Sequence, residues 1–205
     1  MENDLFKLII DKNYERIRKI LSADPLLVNE GVALNKETGA KKGHPLHRLC
    51  DAVFAKKITD EEAVEIAKIF LEFGSNINGY QSLGDNNTPL IAAASLHAEK
   101  LGIFYIEQGA DIFYVSPDSC ATALHWAAFC GRDQLVQKLI EHGAKIVQRD
   151  ASFDGTPLDW AVHELRSGEA GNLFHQEACI KLLIKAGAAL NAVDAEYLKS
   201  IHFFG

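Results

Sequence analysis

Residues 121–144, Ala-Thr-Ala-Leu-His-Trp-Ala-Ala-Phe-Cys-Gly-Arg-Asp-Gln-Leu-Val-Gln-Lys-Leu-Ile-Glu-His-Gly-Ala, decide the fold. They read as two short helices, each followed by a glycine. Thr122 is placed to cap the first by accepting a backbone N–H through its hydroxyl. Leu124, Ala127 and Ala128 form its apolar face, and Gly131 permits the left-handed turn that ends it. Asp133 is placed to cap the second, where Leu135, Val136, Leu139 and Ile140 make one stripe before Gly143 closes it. One such pair exposes more apolar surface than it hides, so it must pack on copies of itself.

The copies are present on both sides. Thr88-Pro89-Leu90 and Thr156-Pro157-Leu158 flank Thr122-Ala123-Leu124 at intervals of 34 residues, and His44-Pro45-Leu46-His47 lies 44 residues before Thr88. Second helices end at Gly74, Gly109, Gly143 and Gly187. Proline at the first helical position gives up a donor that would have no partner there.

This pattern resembles the ankyrin repeat, with its T-P-L-H-x-A start, a period near 33 and a glycine-alanine end. The resemblance covers about residues 42–192. It implies an all-α solenoid of about five helix-turn-helix repeats joined by hairpin-like loops. On that reading residues 1–205 form a single domain: an N-terminal cap (1–30), repeats at 44–80, 88–115, 122–148 and 156–192, and a C-terminal cap (193–205). In such repeats the threonine and histidine of the motif hold the turn. His47 and His125 fit that role, while Ile91 and Asp159 replace the histidine.

Outward from the centre, Leu5, Leu8 and Ile9, then Ile17, Ile20 and Leu21, supply two faces of a terminal helix pair that Pro25 ends. Residues 29–43, with Lys36, Lys41 and Lys42, read as a long connector, either an extended hairpin or, preferably, a solvated loop. Ala52 to Ile58 is expected to prolong the first helix of its repeat. Thr59 and Glu62 have capping-box spacing. The glycine-containing stretch 166–172 reads as a loop. At the other end, Tyr197, Leu198, Ile201 and Phe203 are expected to cover the last repeat.

The bulk composition excludes several roles. A net charge of −7 over 205 residues disfavours nucleic acid and anionic membrane, both of which need a basic face. No run approaches the roughly 20 apolar residues of a membrane span. The acidic start is no secretory signal. Four cysteines, Cys50, Cys120, Cys130 and Cys179, have neither metal nor disulfide-framework spacing. A reducing, cytoplasmic setting is expected, although export by a signal-less route would leave the same sequence.

The resemblance also implies function: most such solenoids bind another protein through hairpin tips and the concave face of the first helices. Carried over by position, the partner-facing residues are Tyr80, Phe113, Tyr114, Arg149 and Phe153 on the hairpins, with Ser95, Leu96, Phe129, Cys130 and His163 on the helix ends. Phe113, Tyr114, Phe129 and Phe153 form an aromatic centre of the kind found in binding hot spots. Against that, Phe113 and Phe153 could pack inward under their hairpins. Trp126 and Trp160, equivalent in successive repeats, are expected to be half-buried between neighbouring helices rather than to form a ligand cage.

Other chemistries find little support. His44, His47 and Cys50 share one helix without a fourth zinc ligand. Cys130 with His125 or His163 as base lacks a positioned oxyanion site. No glycine-rich phosphate loop occurs. The expectation is a non-enzymatic scaffold without cofactor or small-molecule substrate, whose partner carries basic patches. The alternative is a bacterial effector or antitoxin-like inhibitor that occludes one target protein.

Overall fold

The computed structural model describes residues 4–30, 32–33, 42–79, 87–168 and 175–204. The chain folds into two compact units, Met1–Asp111 and Ile112–Gly205. Among the described residues both are built from helix pairs, with one short strand pair in the first.

The first unit starts with α1 (Leu5–Ile10) and α2 (Tyr14–Ala23), capped by Asp4 and Asn13, whose side-chain oxygens accept the N–H groups of Lys7 and Arg16 at 3.1 Å. Ile9, Ile17 and Leu21 are fully buried, and Pro25 opens a short 3-10 turn to Val28. The two described ends of the connector pair with one another. Strand β1 (Val32–Ala33) pairs antiparallel with β2 (Lys42–Gly43), and Arg48 Nε donates to the Val32 carbonyl at 2.9 Å. Burial of Val32 holds this pairing in place. Lys36 and Lys41 lie outside the described residues.

Helices α3 (Pro45–Phe54) and α4 (Asp60–Glu72) follow. Of the stretch Ala52–Ile58 expected to prolong α3, only Ala52 to Phe54 do so, and the helix stops at Ala55. Lys56 takes φ 55°, its N–H donates to Val53, and Lys57 N–H reaches back to the Ala52 carbonyl at 2.9 Å. This is the doubly bonded left-handed stop usually given to glycine. The Thr59–Glu62 capping box is formed, with reciprocal bonds of 2.8 and 3.2 Å. The pair α5 (Pro89–Ser95) and α6 (Glu99–Glu107) completes the unit. Asp60 reaches from α4 to accept the N–H groups of Lys100 and Leu101, which caps the neighbouring helix. Tyr105, fully buried, donates its hydroxyl to the Leu46 carbonyl at 2.9 Å.

The second unit holds α7 (Ala123–Phe129), α8 (Asp133–Glu141), α9 (Pro157–Ser167), α10 (Gln176–Lys185) and α11 (Ala192–Ser200). Its core is Leu124, Ala127, Ala128, Leu135, Val136, Leu139, Leu158, Ala161, Ile180, Leu183 and Leu198. Ile140 is only half-buried, at the margin of the expected stripe. Alanines at 127, 128 and 161 leave no bulk between α7 and α9, which therefore pack closely.

Two capping chemistries do one job here. His125 Nδ1 accepts from Thr122 N–H at 3.1 Å and faces its hydroxyl at 2.9 Å, so the proton sits on Nε2, which donates to the Gly155 carbonyl at 3.3 Å. In the next repeat Asp159 Oδ2 accepts from both the N–H and the hydroxyl of Thr156, at 2.7 and 2.8 Å. Asp133 does not cap α8. It is the first helical residue, after Arg132, and its carboxylate faces His175 Nδ1 at 3.0 Å.

The loops before α7 and α9 are tight turns closed by Ser116 N–H to Ala121 O and Asp150 N–H to Gly155 O, both 3.0 Å. They are joined by Ala151 N–H to Ser119 O at 2.7 Å. At the C-terminal end Leu198 is buried, Tyr197 and Phe203 are half-buried, and Arg166 stacks 4.5 Å from the Tyr197 ring. Ile201 stays exposed rather than covering the last repeat, at the C-cap of α11 where the chain folds back through a left-handed His202.

Candidate functional site

The site in the second unit begins with a carboxylate. Asp150 is buried in the turn before α9, where its oxygens accept the N–H groups of Ser152 (2.7 Å), Phe153 (2.9 Å) and Gly155 (2.9 Å). It also accepts the indole N–H of Trp160 at 2.9 Å. Burial alone would push this carboxyl up, but the four donors outweigh it and hold Asp150 below the usual aspartate value. The turn and the indole are thereby fixed to one another.

Trp160 is the hub of an aromatic group. Its ring lies 5.2 Å from Trp126, 5.9 Å from Phe129 and 6.5 Å from Phe153, at interplanar angles of 85°, 76° and 74°. Trp126 and Phe129 are themselves 6.2 Å apart at 85°. His125 packs against the other side of the network, 5.2 Å from Trp160. Such edge-to-face pairs each add about 0.5–1.5 kcal/mol beyond burial. Together with Arg149, Asp154, Gly155, Asp159, His163 and Asn191, the rings of Trp126, Phe129, Phe153 and Trp160 line a cavity of about 520 Å³. That is within the usual range for a ligand pocket.

Of the residues singled out from sequence, Phe129, Arg149, Phe153 and His163 line this cavity. Phe153 is 81% exposed and Phe113 52% exposed, so neither packs inward. Phe113 and half-buried Tyr114 are not among the lining residues. Cys130 is not a surface residue: it is the C-cap of α7 and only 3% exposed. The left-handed turn at Gly131 folds the chain over it. Ser95 and Leu96 lie in the first unit, half-buried at the end of α5. Tyr80 falls outside the described residues.

Sequence reasoning missed the two tryptophans as cavity walls, together with Asp154, Asp159 and Asn191. A signal existed. Trp126 and Phe129, like Trp160 and His163, are three apart and share a helix face, so equivalent repeats place all four together.

The cysteine and histidine constellations are occupied structurally. Burial pushes the Cys130 thiol up to about 11, against the pull of Arg132, which leaves no thiolate at neutral pH. His44 caps α3 by accepting Leu46 N–H at 3.3 Å, its other nitrogen lies 3.2 Å from Asn29, and burial lowers it to about 4. His47 and Cys50 are buried as well, with the Cys50 thiol facing the Leu46 and Pro89 carbonyls. Among the described residues no group of three or more His, Cys, Asp or Glu is placed to hold a metal ion. Nor is any described helix long and apolar enough to cross a membrane.

Helix pairs opened by Thr-Pro-Leu starts, stopped by left-handed glycines and joined by tight turns define a helical repeat protein. The family profile described as "Ankyrin repeats (3 copies)" matches residues 54–150 and 103–194, and the chain belongs to the ankyrin repeat family. Similar curated proteins include mouse "Ankyrin repeat and SOCS box protein 6", 29% identical over 136 residues, which is 66% of this chain and 30% of that protein. Mouse "Palmitoyltransferase ZDHHC13" is 32% identical over 123 residues, 56% of this chain and 18% of the other. Drosophila melanogaster "Palmitoyltransferase Hip14" is 35% identical over 98 residues, 47% and 14% respectively. The chain thus spans less than a third of these relatives, and with the palmitoyltransferases it shares the ankyrin-repeat region. Ankyrin repeats are in general non-catalytic protein–protein interaction modules.

Proposed function

We infer that this chain is a protein-interaction module that engages its partner with the Trp126–Phe129–Phe153–Trp160 cavity, and that it catalyses nothing itself. The observation that carries this reading is Phe153. A phenylalanine 81% exposed at the mouth of a cavity of about 520 Å³ loses free energy in water and regains it only under a partner. The net charge of −7 favours fast association with a partner bearing basic patches. A cytoplasmic setting agrees with Cys50, Cys120, Cys130 and Cys179, which form no disulfide. The same reading takes residues 1–205 as one repeat domain, for which urea unfolding is expected in a single transition.

The test compares proteins captured from a native lysate by the wild type, by Phe153→Ala and by Leu26→Ala. Leu26 is similarly exposed but belongs to the first unit. A partner held by the wild type and Leu26→Ala and lost by Phe153→Ala supports the cavity as the interface. Equal capture by all three removes it.

A further inference from the structure

We propose that the cavity holds the methylated ammonium head of a lysine side chain presented by the protein partner; this rests on the reading of the cavity as the partner site. The argument starts from ring planes. Trp126, Phe129 and Trp160 are mutually close to perpendicular, at 85°, 85° and 76°. All three rings line the one cavity, so a group seated there meets aromatic surface from more than one direction. The face is the electron-rich part of a ring and attracts cations. Phe153 adds a fourth, exposed wall.

The charges around the cavity have the matching sign. Asp154 and Asp159 line the cavity and Asp150 sits behind Trp160, against one lining guanidinium, Arg149, which is paired with Asp154 at 3.3 Å. An anion would meet repulsion here. The Trp160 N–H bond to the Asp150 carboxylate also pushes electron density into the indole, which strengthens its pull on a cation.

The hydrogen bonding then selects among cations. Asp150 already accepts four donors. Asp159 accepts from Thr156 and from Asn191 Nδ2 at 2.8 Å. Asp150 and Asp159 contribute charge but few open acceptor positions, while the exposed Asp154 carboxylate stays in water and is paired with Arg149. An unmodified lysine ammonium, with three N–H donors and a strongly held water shell, would lose more than it gains. Each methyl group removes a donor, weakens hydration and adds apolar contact with the rings. Recognition should therefore increase with methylation.

The test uses the full chain labelled with ¹⁵N and follows the two indole N–H signals of Trp126 and Trp160, its two tryptophans. Acetyl-Gly-Lys-Gly amide is titrated with zero, one, two or three methyl groups on the lysine. A fifth peptide carries the neutral carbon isostere of trimethyllysine, and tetramethylammonium alone is a sixth probe. The expected result is affinity rising roughly tenfold from the unmodified to the trimethylated peptide, with the isostere weaker than the trimethylated form by a similar factor. Trp126→Leu, which stays apolar but loses the π face, should abolish the difference while its urea midpoint shows the fold intact. Equal binding of the trimethylated peptide and the isostere would overturn the proposal in favour of an apolar groove. Tetramethylammonium binding as tightly as the peptide would overturn the protein-borne source. If Phe153→Ala still loses a protein partner while the methylation series is flat, the partner site stands and the methyl-lysine assignment fails alone.

Discussion

The indole N–H of Trp160 donates to the carboxylate of Asp150 at 2.9 Å, ten residues earlier in the chain. Three backbone N–H groups of the intervening turn converge on the same carboxylate. Asp150→Ala takes the acceptor from four donors, of which only the Gly155 N–H is buried, so it should destabilise the fold by about 1–3 kcal/mol. Asp150→Asn keeps one acceptor oxygen and should lose less. Urea denaturation followed by tryptophan fluorescence measures both, and an Ala variant as stable as wild type would contradict the network.

Acid should weaken the fold well above the carboxylate range. Burial lowers the His44 imidazole from 6.5 to about 4, and burial lowers His125 as well. The folded state binds these protons less readily than the unfolded state. The stability is therefore fully present above about pH 6.5, falls as the pH drops below it, and levels off near the folded value. For His44 the full loss is on the order of 3 kcal/mol. His44→Thr supplies the cap that Thr88 and Thr156 provide elsewhere and does not titrate. Its unfolding free energy should vary less between pH 4 and 7 than that of the wild type.

Gly143 and Gly131 both take positive φ, 86° and 64°, but for different company. A Cβ on Gly143 would meet nothing within 4 Å, so Gly143→Ala should cost only the backbone strain of about 1–2 kcal/mol. A Cβ on Gly131 would lie 2.8 Å from Nε2 of Gln176, a fully buried side chain that donates to Phe129 O at 3.1 Å. Gly131→Ala should therefore be the more damaging of the two. Melting temperatures in the reverse order would refute this account.

Thiol labelling separates the cysteines. Cys120 is half-exposed, whereas Cys50, Cys130 and Cys179 are buried, and burial raises the Cys50 and Cys130 thiols. In native protein at neutral pH, Ellman's reagent should modify Cys120 readily and the other three only on unfolding. Rapid labelling of Cys130, identified by peptide mapping, would restore it as a candidate nucleophile.

Much of this was legible in the sequence because repeats state their grammar several times. The Thr59–Glu62 box and the glycine stops at 74, 109, 143 and 187 depend on local backbone rules that spacing reveals. The burial of Cys130 and the left-handed Lys56 were not legible, since each depends on how the chain turns after a helix rather than on the helix pattern. Trp126 and Trp160 were read as packing residues, and they do pack. Their second role as cavity walls required knowing that the Asp150 turn leaves one side of the indoles uncovered. A hydrophobic side chain gives the same periodic signal whether its outer edge meets protein or solvent.

The two turns of the second unit are joined by Ala151 N–H to Ser119 O, main chain to main chain. A rung of that kind has no side-chain identity to preserve. Substitutions at Phe153, which stands on the same turn, would alter what the proposed interface recognises without removing that rung. If the cavity is the partner site as proposed, selection can rewrite its contacts while leaving this rung untouched, so that a lineage of repeats changes partners by drift at a few tip positions.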